Sequence, residues 1–436
     1  MDQNEFNSPV YKRGRLGIII EAALEYFIAL CVTTTLLTAL LNFMEVDPAL
    51  QGIIGSITSL ACVAQLCAVF WVKKSYPCKK WVCILNLVNQ LAFLLLYCVP
   101  FISLPQTVKI AVFIAILLCA CLLQHYPTPS RTQWHMSLVE DSHRGVFTAK
   151  KEIISLIGGM IFSMGSGALI DYFRDVKNDM QTCFIIFAVT IAVLAVLHLI
   201  TMLSIKEPCP SEIPKKKTFR EIISLIFGSK KLLRVLIFDA LYCMSGVSVA
   251  FLPVFAQINE KNPEAVTLGL TAGAMAAVSV VHSIFRASVS VPLGRYADKR
   301  SWASLLRLCM SVMTVGYTLL TFCTPALGTL SIIIYVAFYL CYAFSLAGSN
   351  SSLINLCFDY VEHEDRRYIL GIKNAISGVA TFLTSLLWGY IVSVIQGNNY
   401  SVFGLTVYPI QLLSAISAVM TLVLVTVVLP GLKKDK

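Results

Sequence analysis

The sequence has few charged residues. Only 13% of its 436 residues are Asp, Glu, Lys or Arg, whereas 57% are hydrophobic, and the mean hydropathy is +0.77. A soluble domain carries about 25% charged residues. The chain therefore lacks the polar surface that a water-soluble globule of its size needs. This composition excludes a soluble domain and predicts an integral membrane protein.

The sequence also lacks the residue clusters that carry enzymatic or metal chemistry. Its fifteen cysteines include no CxxC pair and no Cys/His group with metal-ligand spacing. Most of them lie in apolar runs, where cysteine acts as a small hydrophobic side chain. No nucleophile–base pair or Gly-rich phosphate loop is evident. We therefore expect neither an enzyme nor a protein that carries a metal or another cofactor.

Long apolar runs are abundant. A helix needs about 20 apolar residues to cross the hydrocarbon layer, and their continuity favours helices over a barrel. Twelve runs qualify, at 16–42, 49–72, 81–102, 107–138, 147–172, 181–204, 232–258, 265–296, 302–324, 327–358, 367–395 and 402–430.

The net charge is +10, but most Lys and Arg residues lie in the gaps between these runs, a distribution that does not indicate nucleic-acid binding. Gaps rich in Lys and Arg alternate with gaps poor in them, with one mild exception at 171–180, where Arg174 and Lys177 stand among Asp171, Asp175 and Asp179. Basic loops favour the cytoplasmic side. We therefore expect a multi-pass protein of the plasma membrane with both termini in the cytoplasm. The hydrophilic segment 205–231 is predicted to be either a basic interfacial helix on an anionic leaflet or a plain linker.

One phrase occurs twice, 222 residues apart. RGVFTAKKEIISLIGG at 144–159 aligns with RRYILGIKNAISGVAT at 366–381, and each copy begins just before the fifth span of its half. The first spans agree at an offset of 218, with Glu21 opposite Asp239. Parallel six-span repeats are a known transporter plan. The predicted domains are 1–204 and 232–436, joined by the linker 205–231.

Twelve spans, a six-plus-six repeat, a basic central loop and the motif GRYADKRS at 294–301 together resemble the Major Facilitator Superfamily over essentially the whole chain. The resemblance implies an all-α membrane fold of two pseudo-symmetric six-helix bundles. It also implies alternating access and a cytoplasmic brace in which Asp298 lies near Lys150 and Lys151. The corresponding first-half loop, WVKKSYPCKKW at 71–81, has no Gly and no acid, so we expect it to be held differently. The residues predicted for the cytoplasmic gate are Gly294, Arg295, Asp298, Arg300, Lys151, Lys373, Arg144 and Arg366.

Charged residues inside the apolar runs are costly in hydrocarbon and usually face a cavity or a partner. Glu25, Arg131 and Arg286 each lie nine residues, or about 14 Å, from a cytoplasmic span end, near the midplane where such transporters bind solutes. The predicted substrate-binding residues are Arg131, Arg286, His282, Tyr126, Gln133, Trp134, Asn350, Asn355 and Tyr26. The alternative is that these groups are structural, with Glu25 and Arg131 forming an ion pair and the aromatic and histidine side chains packing.

Three buried carboxylates, Glu25, Glu21 and Asp239, are predicted to carry a coupling proton; Glu21 and Asp239 could instead be gate or capping residues. Two arginines favour a solute with an anionic group, while aromatic and amide side chains also suit a sugar or peptide-like body. The predicted function is proton symport of such a solute by a monomer in contact with lipid. The alternatives are a proton-antiporting drug exporter, a non-transporting receptor and a lipid-handling protein.

Overall fold

A computed structural model describes residues 8–71, 77–139, 144–208, 217–258, 267–362, 365–398, 401–402 and 405–432. Almost all of them are helical. The helices are α1 (Pro9–Cys31), α2 (Thr34–Phe43), α3 (Pro48–Gly55), α4 (Ile57–Ala61), α5 (Val63–Trp71), α6 (Lys79–Cys98), α7 (Gln106–His125), α8 (Thr128–Met136), α9 (Arg144–Tyr172), α10 (Met180–Ser204), α11 (Phe219–Gly228), α12 (Lys230–Ser245), α13 (Ser248–Ala256), α14 (Ala272–Lys299), α15 (Trp302–Thr321), α16 (Thr329–Phe358), α17 (Arg366–Asn398) and α18 (Pro409–Val423).

Short elements complete these helices. They are 3-10 turns at Val99–Phe101, Pro325–Leu327 and Leu429–Leu432, π-helical turns at Phe173–Lys177 and Leu424–Val428, and a small hairpin of β1 (Ser401–Val402) with β2 (Leu405–Thr406). The hairpin precedes the last span, so the predicted start of that span at residue 402 was too early.

Within the described residues, twelve helical stretches are long and apolar enough to cross a membrane, which confirms the predicted all-α membrane fold. Many of their apolar side chains point outward, including Ile161, which is 70% exposed. Such exposure would be unfavourable in water but suits contact with lipid. Some spans are broken. The first is interrupted between α1 and α2, and the fourth between α7 and α8 at Pro127, whose missing amide removes a helical hydrogen bond.

The chain packs as two compact units, one formed by Met1–Met44 and Ala61–Lys216 and the other by Glu45–Leu60 and Lys217–Lys436. We call them unit 1 and unit 2. The predicted halves 1–204 and 232–436 were defined by the internal repeat rather than by packing, and they stay a prediction.

Part of the predicted linker forms helix α11, while residues 209–216 lie outside the described residues. Thr218 caps the helix, since its hydroxyl accepts from the backbone of Glu221 and the Glu221 carboxylate accepts from the Thr218 backbone N–H. This backbone hydrogen bond holds the pKa of Glu221 below its usual range. Whether α11 lies on the membrane surface stays a prediction.

The core of unit 2 includes one very close helix approach. Gly52 of α3 lies against the ring of Phe251 of α13, and a Cβ at residue 52 would overlap that ring. Phe251 is itself buried in a cluster with Trp388, Val392 and Leu413. The ring therefore has little room to move, and glycine is required here by packing.

We predict that Gly52→Ala destabilises the protein by about 1–3 kcal/mol, the usual cost of overpacking a core. The measurement is the thermal unfolding midpoint of the purified protein. Gly165→Ala is the control, because nothing lies within 4 Å of a Cβ there and alanine favours a helix over glycine by about 1 kcal/mol. Equal midpoints for the two variants would contradict the packing argument.

Candidate functional site

Unit 1 contains a network of buried charges centred on Arg131. Glu21 and Glu25 are four residues apart on α1, so they share one helix face. Arg131 lies on α8, the short helix that follows the break at Pro127. Its Nη1 donates to Glu25 Oε1 at 2.7 Å, with longer contacts to Glu21 Oε1 at 3.4 Å and Asn86 Oδ1 at 3.3 Å. Glu25 and Arg131 therefore form the ion pair that the structural alternative predicted, and their role in binding a solute or a proton stays a prediction.

Two polar side chains extend the network beyond Glu21. His198 of α10 has its Nε2 3.2 Å from Glu21 Oε1, and Gln90 of α6 places its Nε2 2.8 Å from His198 Nδ1. His135 is also close, with Nδ1 4.0 Å from Glu21 Oε2. The side chain of Glu21 is only 3% exposed, whereas that of Glu25 is 23% exposed. Glu21 is therefore the interior member of the pair and Glu25 the accessible one.

Sequence reasoning missed Asn86, Gln90 and His198. All three interrupt apolar runs, and Asn86 and Gln90 are spaced by four residues on one face of α6. Polar residues in such runs are a usable signal, because hydrocarbon offers them no hydrogen bonds. The face that each one presents to its neighbours is a tertiary property.

The other residues predicted for substrate binding in unit 1 have mostly packing contacts. Trp134 is fully buried and donates from Nε1 to the Lys206 carbonyl at 2.9 Å. Tyr126 packs edge-on against Trp81, and Tyr26 lies against Gly159 of α9. Gln133 directly precedes Trp134 in sequence and is half-buried. These contacts agree with the packing alternative for Trp134, while the roles of all four stay untested.

In unit 2 two residues that were assigned to different tasks meet in one ion pair. Lys373 Nζ of α17 lies 3.0 Å from Asp239 Oδ1 of α12, and Ser377 Oγ donates to Asp239 Oδ2. Both charged side chains are largely buried. Asp239 was predicted to carry a proton and Lys373 to belong to the gate. Together they form a charge-balanced contact between two spans.

Unit 2 also contains an aromatic cluster around His282, which we define as His282, Tyr335, Phe338, Tyr339 and Tyr342. The His282 ring lies 6.0 Å from the Tyr339 ring and 5.6 Å from the Tyr342 ring, and Tyr342 stacks on Phe338. The buried His282 Nε2 has no hydrogen-bond partner among the described residues. A buried polar atom of this kind usually requires a partner.

The remaining predicted residues of unit 2 are spread more widely. Arg286 lies on α14 one turn from His282 and is half-buried. On α16, Asn350 is exposed, and Asn355 donates to the Ser351 carbonyl of its own helix at 2.8 Å. The structure therefore supports a local role for the Asn355 amide more directly than solute contact.

The predicted gate is only partly described. Gly294 is half-buried at the end of α14, Arg295 and Arg300 are exposed, and Arg366 lies over the Phe358 ring at 4.7 Å. The side chains of Asp298 and Arg144 lie outside the described residues. The predicted Asp298 brace therefore stays a prediction.

Lys151 is half-buried and acts electrostatically on His135. It forms no ion pair with Glu21 within the described part of unit 1. Its repeat counterpart Lys373, in contrast, contacts Asp239 directly.

The first-half loop has no acidic residue of its own, but Glu207, which follows the sixth span, contacts the end of this loop. Glu207 accepts from the backbone N–H groups of Cys78 and Lys79, the latter at 3.2 Å, and so caps the start of α6. Lys79 Nζ returns to the carbonyls of Leu203 and Ile205 at 2.7 and 2.8 Å. Burial and the Glu207 contact raise the pKa of Cys78. Residues 72–76 of this loop lie outside the described residues, so the expectation that the loop is held differently from its second-half counterpart stays a prediction.

We predict that neutralising only one member of the Asp239–Lys373 pair costs about 3–5 kcal/mol, because the other charge is left buried alone. Asp239→Asn and Lys373→Met should each lower the thermal midpoint strongly, whereas the double variant should recover much of the loss. Neutralising exposed Asp175, which pairs with Arg174, is the control and should change little. A double variant as unstable as the sum of the singles would contradict the pairing.

Comparison with known proteins supports the architecture. The sequence pattern of the Major Facilitator Superfamily matches residues 22–383. No curated protein matches the chain in sequence. Similar solved structures include a mutant of the nucleoside transporter NupG, with 14% identity, a TM-score of 0.74 and coverage of 96% of this chain and 100% of that one.

Two other solved structures are similarly close in fold. A D-xylose–proton symporter has 12% identity and a TM-score of 0.67, covering 94% of this chain and 97% of its own. A bacterial homologue of the lysosomal transporter Spinster has 12% identity and a TM-score of 0.68, covering 98% and 97%. At these identities the likeness shows the fold alone. Since the family pattern spans most of its length, this chain belongs to the Major Facilitator Superfamily of membrane transporters.

Proposed function

We propose that the protein is a proton-coupled secondary transporter of a small polar solute that bears a ring. The observation that carries the proposal is the Arg131 network of unit 1. The same proposal holds that the protein is a monomer in the plasma membrane, with both termini in the cytoplasm, and that it works by alternating access.

The network contains an imbalance of charge. One guanidinium directly contacts two carboxylates, Glu21 and Glu25. With neutral histidines these three groups sum to −1, an unfavourable state for buried groups in hydrocarbon. One proton, held by a carboxyl group or an imidazole, brings the sum to zero. The arrangement is therefore suited to bind and release a single proton.

Gln90 and His198 offer a second place where this proton can be held. The Gln90 amide nitrogen can only donate, so His198 Nδ1 accepts and His198 Nε2 carries the hydrogen donated to Glu21. Gln90 Oε1 is buried without a partner among the described residues. If the amide turned over, Oε1 would accept from a protonated Nδ1 and stabilise an imidazolium next to Glu21.

The exposure of the two carboxylates suggests a division of roles. Glu25 is accessible, so a solute can reach it and Arg131, while Glu21 with His198 is shielded. A solute oxygen that takes the Arg131 hydrogen bond away from Glu25 leaves that carboxylate without its counter-charge and favours its protonation. Binding of solute and binding of a proton then reinforce each other, which is the logic of symport.

Unit 2, taken by itself, offers a second candidate for recognition of a ring-bearing solute, the aromatic cluster around His282. Aromatic faces bind flat or apolar ring surfaces, and the unpartnered His282 Nε2 can exchange a hydrogen bond with a solute hydroxyl or ring nitrogen. Proteins of similar fold include a nucleoside transporter and a D-xylose symporter. Nucleosides and pentoses are therefore the first solutes to test.

We predict that His198→Gln weakens proton-driven accumulation but preserves solute exchange, because one of the groups that can hold the proton is removed while Arg131 and Glu25 remain. The measurement is uptake into proteoliposomes, screened over nucleosides, pentoses and carboxylates, with and without an inward proton gradient. Counterflow without a gradient measures exchange alone. Thr201→Val on the same helix is the control, since its hydroxyl only bonds its own helix. Full gradient dependence in His198→Gln vesicles would exclude this residue from coupling.

We predict that Tyr339→Leu removes the thermal stabilisation that a transported solute gives the wild type, because the ring beside His282 is lost. The same solute panel is screened by thermal shift on both proteins. Tyr390→Leu is the matched control, as Tyr390 is in unit 2 but is 67% exposed. An unchanged ligand-induced shift in Tyr339→Leu would place recognition outside the aromatic cluster and leave the Arg131 network as the solute contact.

A further inference from the structure

Unit 2 contains a cavity of about 350 Å³ that none of the roles above uses. It lies where α14 ends and α15 begins, beside the last 3-10 turn of the chain. Its lining residues are Tyr296, Ala303, Ser304, Arg307, Leu308, Ser311 and Leu429. The lining is half polar in character, and its one ionic group is Arg307.

Arg307 is a cation inside a membrane span. It follows the first residue of α15, Trp302, by five positions, which places its Cα about 8 Å along the helix. Within the described part of the chain, no carboxylate forms an ion pair with it. A guanidinium at this depth requires a counter-charge or access to water. The cavity beside it supplies the space for an anion.

The polar groups around Arg307 differ in what they can offer. Ser311 Oγ already donates its hydrogen to the Arg307 carbonyl at 2.9 Å, so it has only lone pairs left. Ser304 Oγ lies 2.9 Å from Ser301 Oγ, and either can be the donor of that bond. The donors left for a ligand are the guanidinium, the Tyr296 hydroxyl and, when Ser301 donates the bond between the two serines, the Ser304 hydroxyl. This set suits a phosphate, which accepts several hydrogen bonds and pairs with arginine in a fork.

The rest of the site suits the apolar part of a lipid. Ala303, Leu308 and Leu429 cover the cavity with hydrocarbon, which a free phosphate ion would not need. Arg295, Lys299 and Arg300 are exposed at the same end of α14. Basic residues at span ends favour the cytoplasmic leaflet, which is rich in anionic lipids.

We propose that this cavity binds the phosphate headgroup of one anionic phospholipid through Arg307. The site is distinct from the Arg131 network and the aromatic cluster, so it does not depend on the transported solute. It would hold the ends of α14, α15 and the final turn together through a ligand that the membrane itself provides.

The test is native mass spectrometry of the delipidated full-length protein in detergent, titrated with phosphatidylglycerol or phosphatidylcholine. We expect the wild type to bind one phosphatidylglycerol more tightly than phosphatidylcholine, and Arg307→Gln to weaken that binding about tenfold through loss of a charge-assisted contact. Arg307→Lys keeps the charge without the fork and should fall between them. Lys299→Gln is the charge-matched control and should change the affinity less than twofold.

Three outcomes would overturn the proposal. Equal losses in Arg307→Gln and Lys299→Gln would show diffuse surface attraction, and equal binding of the two lipids would remove the requirement for an anion. Binding of inorganic phosphate together with equal binding of the two lipids would show that the cavity is a free-anion site. Failure of inorganic phosphate to displace either lipid, in contrast, supports the lipid site. If Arg307→Gln does not fold, Ser304→Leu, which fills the cavity without removing charge, must show the same loss of phosphatidylglycerol.

Discussion

A carboxylate buried in hydrocarbon needs a partner, and each unit satisfies this constraint around one acidic residue on the first span of its repeat. Glu21 and Asp239 correspond at an offset of 218 residues, and both are almost fully buried. Isolated, either charge would be too costly to keep at this depth. The helices that contact these two residues are therefore fixed by electrostatics as well as by packing. The hydrophobic effect contributes little between helices in lipid, which makes such polar contacts the main source of specificity in how the spans pack.

The two units meet the same constraint in different ways. In unit 2 the repeat residues Lys373 and Ser377 both bind Asp239, so the charges balance one to one. In unit 1 their counterparts do not bind Glu21: Lys151 forms no ion pair with it, and the buried Ser155 hydroxyl has no partner among the described residues. Arg131, His198 and His135 contact Glu21 instead. A one-to-one pair has no net formal charge, whereas two carboxylates around one arginine leave these three groups with a formal charge of −1. The two copies of the repeat therefore surround their acidic residue with different partners.

The fold could be predicted from the sequence because the membrane imposes a length and a composition on every span. All twelve runs were identifiable without knowing a single contact. The candidate site was harder to predict from the sequence than the fold. Glu25 and Arg131 were expected to converge from their depth alone, but depth does not give the direction of a side chain around its helix. For that reason His198 and Gln90 were not recognised, and Asp239 and Lys373 were assigned to separate tasks although they touch. The break at Pro127 was predictable from the missing amide, whereas the break between α1 and α2 has no comparable signal.

A buried ion pair is weak support for stability, since well-packed apolar residues of similar volume often stabilise a protein as much or more. Retention of Asp239 with Lys373 is therefore better explained by specificity. The pair fixes one register between α12 and α17, which apolar side chains with many equivalent packings would not define as sharply. In unit 1 the burial of charged groups is also unfavourable in free energy, but we propose a different reason for retaining them. There Glu21 and Glu25 share one arginine, and the proposed coupling depends on a solute that competes for Arg131. Specificity of helix pairing accounts for the charges of unit 2, and the proposed coupling to a proton accounts for those of unit 1.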